Sequence, residues 1–227
     1  FNQDGGLGIS IYVGQRKGSA STADLSPAAL KRTVEAAIDI ARYTSEDPCA
    51  GLADMDALEF SPPDLDLFHP AQVSTEQAIA YCVAAEEAAF ATDSRITNSD
   101  GASFSSHQGL KVYGNSHGQL VGYPSSRHSL SCSVIGEAGD DMQRDYSYTV
   151  SRELQLLRAA AEIGREAALE TVNRLNSRKL GTQKVPVIFR ADIASSLFGR
   201  LVSAISGGAI YRKSGFLLDK VGQQVLS

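Results

Sequence analysis

The stretch LKVYGNSHGQLVGY, residues 110–123, decides the fold. On both sides of GNSHG, Lys111 and Gly122 interrupt short runs rich in Leu, Val and Tyr, the composition of strands with one wet face. Gly114, Asn115 and Gly118 suit the turn between the two runs. Glycine accepts positive φ, and an asparagine side chain can bond its own backbone two residues on. The reading is strand, turn, strand. The same five residues fit Gly-x-Ser-x-Gly, which in hydrolases lies on a strand-to-helix turn and exposes its serine. Here a strand follows the turn, no oxyanion-hole motif precedes it, and His117 adjoins Ser116 in sequence, a poor position for a base. Asn115, Ser116 and His117 are therefore expected as exposed turn residues with a binding role rather than a nucleophilic one.

Outward from this turn, LKVYG, QLVGY, HSLSCSVIG and MQRDYSYTV read as four strands of an antiparallel meander over residues 95–150. LGISIYVGQRKGSAST, residues 7–22, reads as a separate hairpin. Three helices flank these strands. Residues 25–43 carry Ser26 as N-cap and Pro27 at the first helical position, with Leu30, Val34, Ile38 and Ala41 as the apolar face. Residues 74–91 open on a Ser74/Gln77 capping box, with Ile79, Val83 and Phe90 on one side. Residues 159–176 turn Ile163, Ala167, Val172 and Leu175 inward. KVPVIF, residues 184–189, reads as a short buried strand. The helix after it has a core stripe of Ile193, Leu197, Leu201 and Ile205, Asp192 as its cap and Gly207 as a left-handed C-cap.

Segregated strands and helices give an α+β class. The expected divisions are 1–47, the C-terminal part of a first α/β domain; 48–73, a connector; 74–180, a middle α+β domain; and 181–227, the start of a further domain. Both ends read as cut.

Twenty-one basic against 26 acidic residues leave a formal charge of −5, which argues against a general nucleic-acid binder. No apolar run approaches the ~20 residues of a membrane span. The opening residues lack a signal-peptide pattern, and Cys49, Cys82 and Cys132 form neither a disulfide framework nor a zinc clip. A cytoplasmic location is expected, with Cys82 as a buried, inert thiol. His107, His117 and His128 fall near turns or strand ends of one meander, so they read either as a metal site or as solvated turn histidines. Asp140 and Asp141 read as a solvated hairpin tip. Tyr211, Arg212 and Lys213 form a short basic cluster able to grip a phosphate or carboxylate, or to serve as a surface turn.

The segments RKGSASTADLS, ARYTSEDPCAGLAD, DLDLFHP, RITNSDGASF, VYGNSHG, RDYSYT, SRKLGTQKVPVIF and GGAIYRKSGFLLD together resemble the TldD/PmbA family, in order and over essentially the whole chain. The resemblance implies a cytoplasmic, two-subunit zinc metallopeptidase that cuts unfolded or modified peptides. Leader removal from peptide antibiotics, antitoxin degradation and the label "modulator of DNA gyrase" come with it. In the TldD subunit the helix equivalent to residues 196–208 carries His-Glu-x-x-x-His. The matching positions here are Gly199, Arg200 and Ala204, and no His, Cys or Glu lies between Ile193 and Ile210.

The resemblance thus implies no catalytic residue and no metal ligand in this chain, with zinc in the sister TldD subunit. The implied partners are that subunit, as a heterodimer, or a second copy as a homodimer, together with peptide substrates and neither nucleic acid nor membrane. Asn115, Ser116, His117, Tyr211, Arg212 and Lys213 are the candidates for lining the peptide channel. The alternative is a stand-alone peptide-binding or gyrase-modulating homodimer without catalysis. A third reading is an independent hydrolase using Ser116.

Overall fold

In the computed structural model, which describes residues 2–225, β1 (Leu7–Val13) and β2 (Arg16–Thr22) form an antiparallel ribbon turned at Gly14, φ 59°. Helix α1 (Pro27–Tyr43) packs on it. The Ser26 hydroxyl accepts the Ala29 N–H at 3.4 Å and Pro27 begins the helix, as the sequence predicts. Of the predicted apolar face only Ala41 is fully buried. The buried residues are Ala29, Thr33, Ala37 and Ala41, while Val34 stays exposed. The cause is Gly18 on β2: a Cβ built there would lie 2.0 Å from the Ala37 carbonyl oxygen. Backbones this close leave room only for small side chains, so the larger residues Leu30, Val34 and Ile38 lie beside the contact.

Residues 44–73 are irregular apart from one 3₁₀ turn, Met55–Ala57. α2 (Thr75–Phe90) starts with both bonds of the predicted capping box: Ser74 accepts the Gln77 N–H at 3.2 Å and Gln77 accepts the Ser74 N–H at 3.0 Å. Its buried residues are Ala85 and Ala89; the predicted face of Ile79, Val83 and Phe90 is exposed. Again a glycine explains the difference. α3 (Ala160–Arg174) crosses α2 at Gly164, where a Cβ would stand 1.9 Å from the Ala85 carbonyl oxygen. On α3, Ile163, Ala167 and Leu175 are buried as predicted and Val172 packs partly buried against the core.

The predicted four-stranded meander is a three-stranded antiparallel sheet of longer strands, in the order β3 (Ile96–Gly114), β4 (Leu120–Ala138), β5 (Asp141–Ser151). LVGY of the first run and all of HSLSCSVIG belong to the single strand β4. Pro124 does not break it, because β4 pairs with β5 only from His128 onward and is an edge strand at Pro124 on that side. α2 and α3 pack on one face of the sheet. The core between them holds Ala85, Ala89, Ile96, Leu130, Cys132, Val134, Ile163, Ala167 and Ala168. The Cys132 thiol is pushed up to about 11 by burial, with Glu86 and Cys82 adding to the effect. It is an unreactive core group. Cys82 is only partly buried and packs against the same core, and Cys49 is exposed.

The described residues from Ser177 onward form a second compact unit. KVPVIF is neither paired nor buried there: Val185, Val187, Ile188 and Phe189 are exposed, because the unit's described residues offer no strand to pair with. α4 (Ala191–Ala204) is the expected helix, but it buries none of its residues, so the predicted stripe of Ile193, Leu197, Leu201 and Ile205 is not a core within this unit. Arg190, not Asp192, is its N-cap residue; Asp192 lies in the first turn, 3.5 Å from the Arg190 guanidinium. Gly207 is not a left-handed cap. It begins a short helix, α5 (Gly207–Tyr211), capped by Ser206. Helices and antiparallel sheets of this kind make the chain α+β. No helix among the described residues is long and apolar enough to cross a membrane.

Candidate functional site

The long β3–β4 hairpin runs well past the helices that cover its base, and its tip is the GNSHG turn. Asn115 builds that turn. Its N–H donates to the Gln119 carbonyl at 3.0 Å and its own carbonyl accepts the Gly118 N–H at 3.1 Å. Its side-chain oxygen accepts the N–H groups of His117 and Gln119, at 3.1 and 3.3 Å. Gly118 takes φ 83°, a conformation costly for any residue with a side chain. The turn thus joins strand to strand. Ser116 stands exposed and makes no hydrogen bond among the described residues. His117 is half-buried, and its Nδ1 is closed off without a partner. Nothing in this arrangement activates the Ser116 hydroxyl.

The connector is strapped along the hairpin. Ser126, buried on β4, donates its N–H to the Leu67 carbonyl at 2.9 Å and accepts the His69 N–H on its hydroxyl at 2.8 Å. The same hydroxyl donates to the Arg152 carbonyl at 2.7 Å. Gln108 reaches the Ala71 carbonyl at 2.7 Å, and the buried Gln119 donates to the carbonyl of Glu59. His69 lies between two carboxylates, 3.3 Å from Asp66 and 4.0 Å from Glu153.

Between this tip and the N-terminal ribbon lies a trough of about 1000 Å³. One wall is β1, from Leu7 to Tyr12. The other is the hairpin tip, Val112–Ser116 and Gly118–Leu120, with Leu52 of the connector completing it. Asn115 and Ser116 line the trough, so two of the channel candidates flank one cavity. His117 does not line it.

Tyr211, Arg212 and Lys213 lie in the second unit, at the end of α5. Arg212 curls back over Gly208, and Lys213 adopts φ 54° in the turn that ends the helix. The structure describes them apart from residues 115–117, as parts of two separate units.

Zinc, which a metallopeptidase family implies, does not fit the residues of α4. Gly199 and Ala204 carry no donor atom, and the Arg200 guanidinium is always charged and accepts nothing. The three histidines of the meander do not meet either. His128 points into the core and holds Ser106 at 3.0 Å, its Nε2 unpartnered. His107 pairs with Arg127 in the register next to His128, which places it on the opposite face of the sheet. His117 lies in the turn beyond Gly114, and Gly114 is seven strand residues from His107, about 23 Å at ~3.3 Å per residue. Among the described residues no group of three His, Cys, Asp or Glu side chains comes together to hold a metal ion.

The sequence reading missed the trough as a whole. Its β1 wall and its Leu52 corner are far from GNSHG in the chain, and only the tertiary fold brings them together.

Comparison with known proteins agrees along the whole chain. Residues 68–175 match the family model described as PmbA/TldA metallopeptidase central domain. Residues 1–41 match domain 1 and residues 182–227 the C-terminal domain of the same family. The chain is 58% identical to Metalloprotease PmbA of Escherichia coli O157:H7 over 100% of its own length and 50% of that protein. It is 54% identical to the PmbA homolog of Haemophilus influenzae with the same coverage. The chain therefore spans about half the length of these relatives. Among solved structures, a Bacteroides thetaiotaomicron protein described as a modulator of DNA gyrase superposes with a TM-score of 0.89 at 28% identity, over 99% of this chain and 52% of that one. TldE of Thermococcus kodakarensis shares the fold, with a TM-score of 0.70 at 20% identity over 94% of this chain and 48% of that one. The chain belongs to the PmbA/TldD metallopeptidase family.

Proposed function

We propose that this chain is part of the non-catalytic subunit of a cytoplasmic TldD/TldE-type zinc metallopeptidase, and that it shapes the path of peptide substrates toward zinc held by a TldD-like sister subunit. The observation that carries this reading is the make-up of α4. The helix is formed, from Ala191 to Ala204, yet the positions matching the sister subunit's His-Glu-x-x-x-His hold Gly199, Arg200 and Ala204. A peptidase zinc needs imidazole, thiolate or carboxylate ligands, with a carboxylate nearby to take a proton from the attacking water. Glycine, alanine and a guanidinium supply none of these. Unfolded or modified peptides are the substrate class this reading assigns to the complex.

The test is a mixing experiment with the protein in its natural length and a purified TldD-like subunit, using an unfolded peptide as substrate. The expected result is cleavage by the mixture, none by this protein alone, and cleavage by the mixture that persists when Ser116→Ala is introduced. Cleavage by this protein alone that disappears with Ser116→Ala would instead support the independent hydrolase. A mixture no more active than the TldD-like subunit by itself would support the stand-alone homodimer.

A further inference from the structure

We propose that Gln119 is a positioning residue: its buried amide fastens the GNSHG turn to the connector at Glu59 and so holds Asn115 and Ser116 in place along the peptide path. The inference rests on the reading of this chain as a peptide-shaping subunit only for what the turn faces. The fastening itself is tested with neither zinc nor a sister subunit.

Three observations carry it. First, the turn is complete without the Gln119 side chain. The Asn115 N–H donates to the Gln119 carbonyl, the Asn115 carbonyl accepts the Gly118 N–H, and the Asn115 side-chain oxygen takes the N–H groups of His117 and Gln119. The Gln119 side-chain amide is surplus to these bonds, yet it belongs to a residue only 8% exposed. An unpaired primary amide is costly in such a place. Its partners are the Asn115 side-chain nitrogen, at 3.1 Å, and the Glu59 carbonyl, 60 residues away in the chain.

Second, the polarity of this relay is fixed at both ends. Backbone N–H groups only donate, so they draw the oxygen of the Asn115 amide and leave its nitrogen toward Gln119. A backbone carbonyl only accepts, so Glu59 takes the nitrogen of the Gln119 amide. The Gln119 oxygen then faces the Asn115 nitrogen, and the two amides fit in one orientation.

Third, the connector is fastened again further on. Leu67 and His69 bond to Ser126, and Ala71 bonds to Gln108, the cross-strand partner of Ser126. Glu59 meets residue 119 and Leu67 meets residue 126, so the connector and β4 advance side by side in the same direction. Of these bonds the one from Gln119 lies nearest the turn, and it passes the position of the connector to Asn115.

The fixed polarity tells which isosteric changes cut the relay. Gln119→Glu keeps an acceptor for Asn115 but sets an oxygen against the Glu59 carbonyl. Asn115→Asp keeps the N–H bonds of the turn but sets an oxygen against Gln119. The Gln119 amide must then turn over and present its own oxygen to Glu59. Both changes keep the turn and release the connector, the second from a residue that reaches the connector through Gln119. Ser116→Asp adds the same charge at the turn outside the relay and is the control.

The test uses the protein in its natural length. Limited proteolysis within residues 54–66, without a sister subunit, should run about tenfold faster in Gln119→Glu and in Asn115→Asp and be unchanged in Ser116→Asp. In the mixture with the TldD-like subunit, Gln119→Glu should raise KM for an unfolded peptide about fivefold while kcat stays within about twofold. A general loss of folded protein would lower kcat and leave KM alone.

Unchanged connector cleavage in either isosteric variant would overturn the relay. Equally fast cleavage in Ser116→Asp would assign the effect to charge and overturn it too. A released connector with an unchanged KM would overturn the positioning role. A parental mixture without activity would contradict the subunit reading, while the proteolysis would still decide the relay, so the two fail separately.

Discussion

Replacing Gly164 by alanine should lower the stability of the 227-residue chain by about 3 kcal/mol, against a helix-propensity gain of about 1 kcal/mol that acts the other way. The sign follows from geometry. Gly164 lies inside α3, where alanine is ordinarily the better residue. Its missing Cβ, however, is what lets α3 lie against α2: a methyl there would stand 1.9 Å from the Ala85 carbonyl oxygen and 3.1 Å from the Ala89 nitrogen. These are backbone atoms, so no rotamer change relieves the overlap, and α2 has to move. That movement opens the core around Ala85, Ala89, Ile163 and Ala167. Overpacking of this kind costs about 1–3 kcal/mol even where side chains can yield, and more where backbone must. Gly199→Ala is the control. It also lies inside a helix, but among the described residues no atom outside its chain neighbours and its own helix backbone comes within 4 Å of the place its new methyl would take, and it should be neutral or slightly stabilising. Urea unfolding of the three proteins measures both. A Gly164→Ala midpoint at or above that of the parent would show that the two helices are not in contact as described.

The second large effect is expected at Gly18, and it should be local. A Cβ at this position would meet the Ala37 carbonyl oxygen at 2.0 Å and the Ala41 nitrogen at 2.4 Å. α1 must then lift from the ribbon. A two-stranded ribbon is marginal without a packed partner, so β1, β2 and α1 should loosen together while the sheet of β3, β4 and β5 remains. At a cost of about 3 kcal/mol, limited proteolysis within residues 7–43 should speed up about 100-fold if cleavage proceeds through the opened form. Fragments spanning the central sheet should survive. Unchanged cleavage in residues 7–43 would contradict the close α1–β2 contact, and uniform loss of the whole chain would contradict its independence from the central core.

The same two glycines explain which parts of the fold can be read from the sequence. Features made by neighbouring residues are legible. Ser26 with Pro27, Ser74 with Gln77, and Asn115 with Gly118 each state a local bond or backbone angle, and each occurs as predicted. Helix faces are not so readable. A search for large apolar side chains selects Val34, Ile79, Val83 and Phe90, which the fold leaves exposed. The contacts are made by Ala37, Ala85 and Ala89, together with the predicted Ala41, opposite a glycine on another element, and that glycine is far away in sequence. In the sequence β4 reads as two runs, QLVGY and HSLSCSVIG, with Pro124 between them. Only the register shows one strand, with Pro124 beyond Ser151, the last residue of β5. The apolar segment KVPVIF has the composition of a strand, but a strand exists only with a partner, and none is present among the described residues of its unit.

For the candidate site the division is similar. The turn and the donor-poor helix are visible in the sequence; the trough is not, since it depends on bringing Leu7–Tyr12 beside Val112–Leu120.

The most direct test of the central claim, that α4 cannot hold a catalytic zinc, is the metal content of the natural-length protein purified without any sister subunit. After equilibration with zinc and removal of loosely held ion, elemental analysis should find far less than one zinc per polypeptide. Replacing Gly199, Arg200 and Ala204 by histidine, glutamate and histidine should be needed before any zinc binds at that helix. One tightly held zinc per chain in the unmodified protein, lost when α4 is altered, would contradict the account.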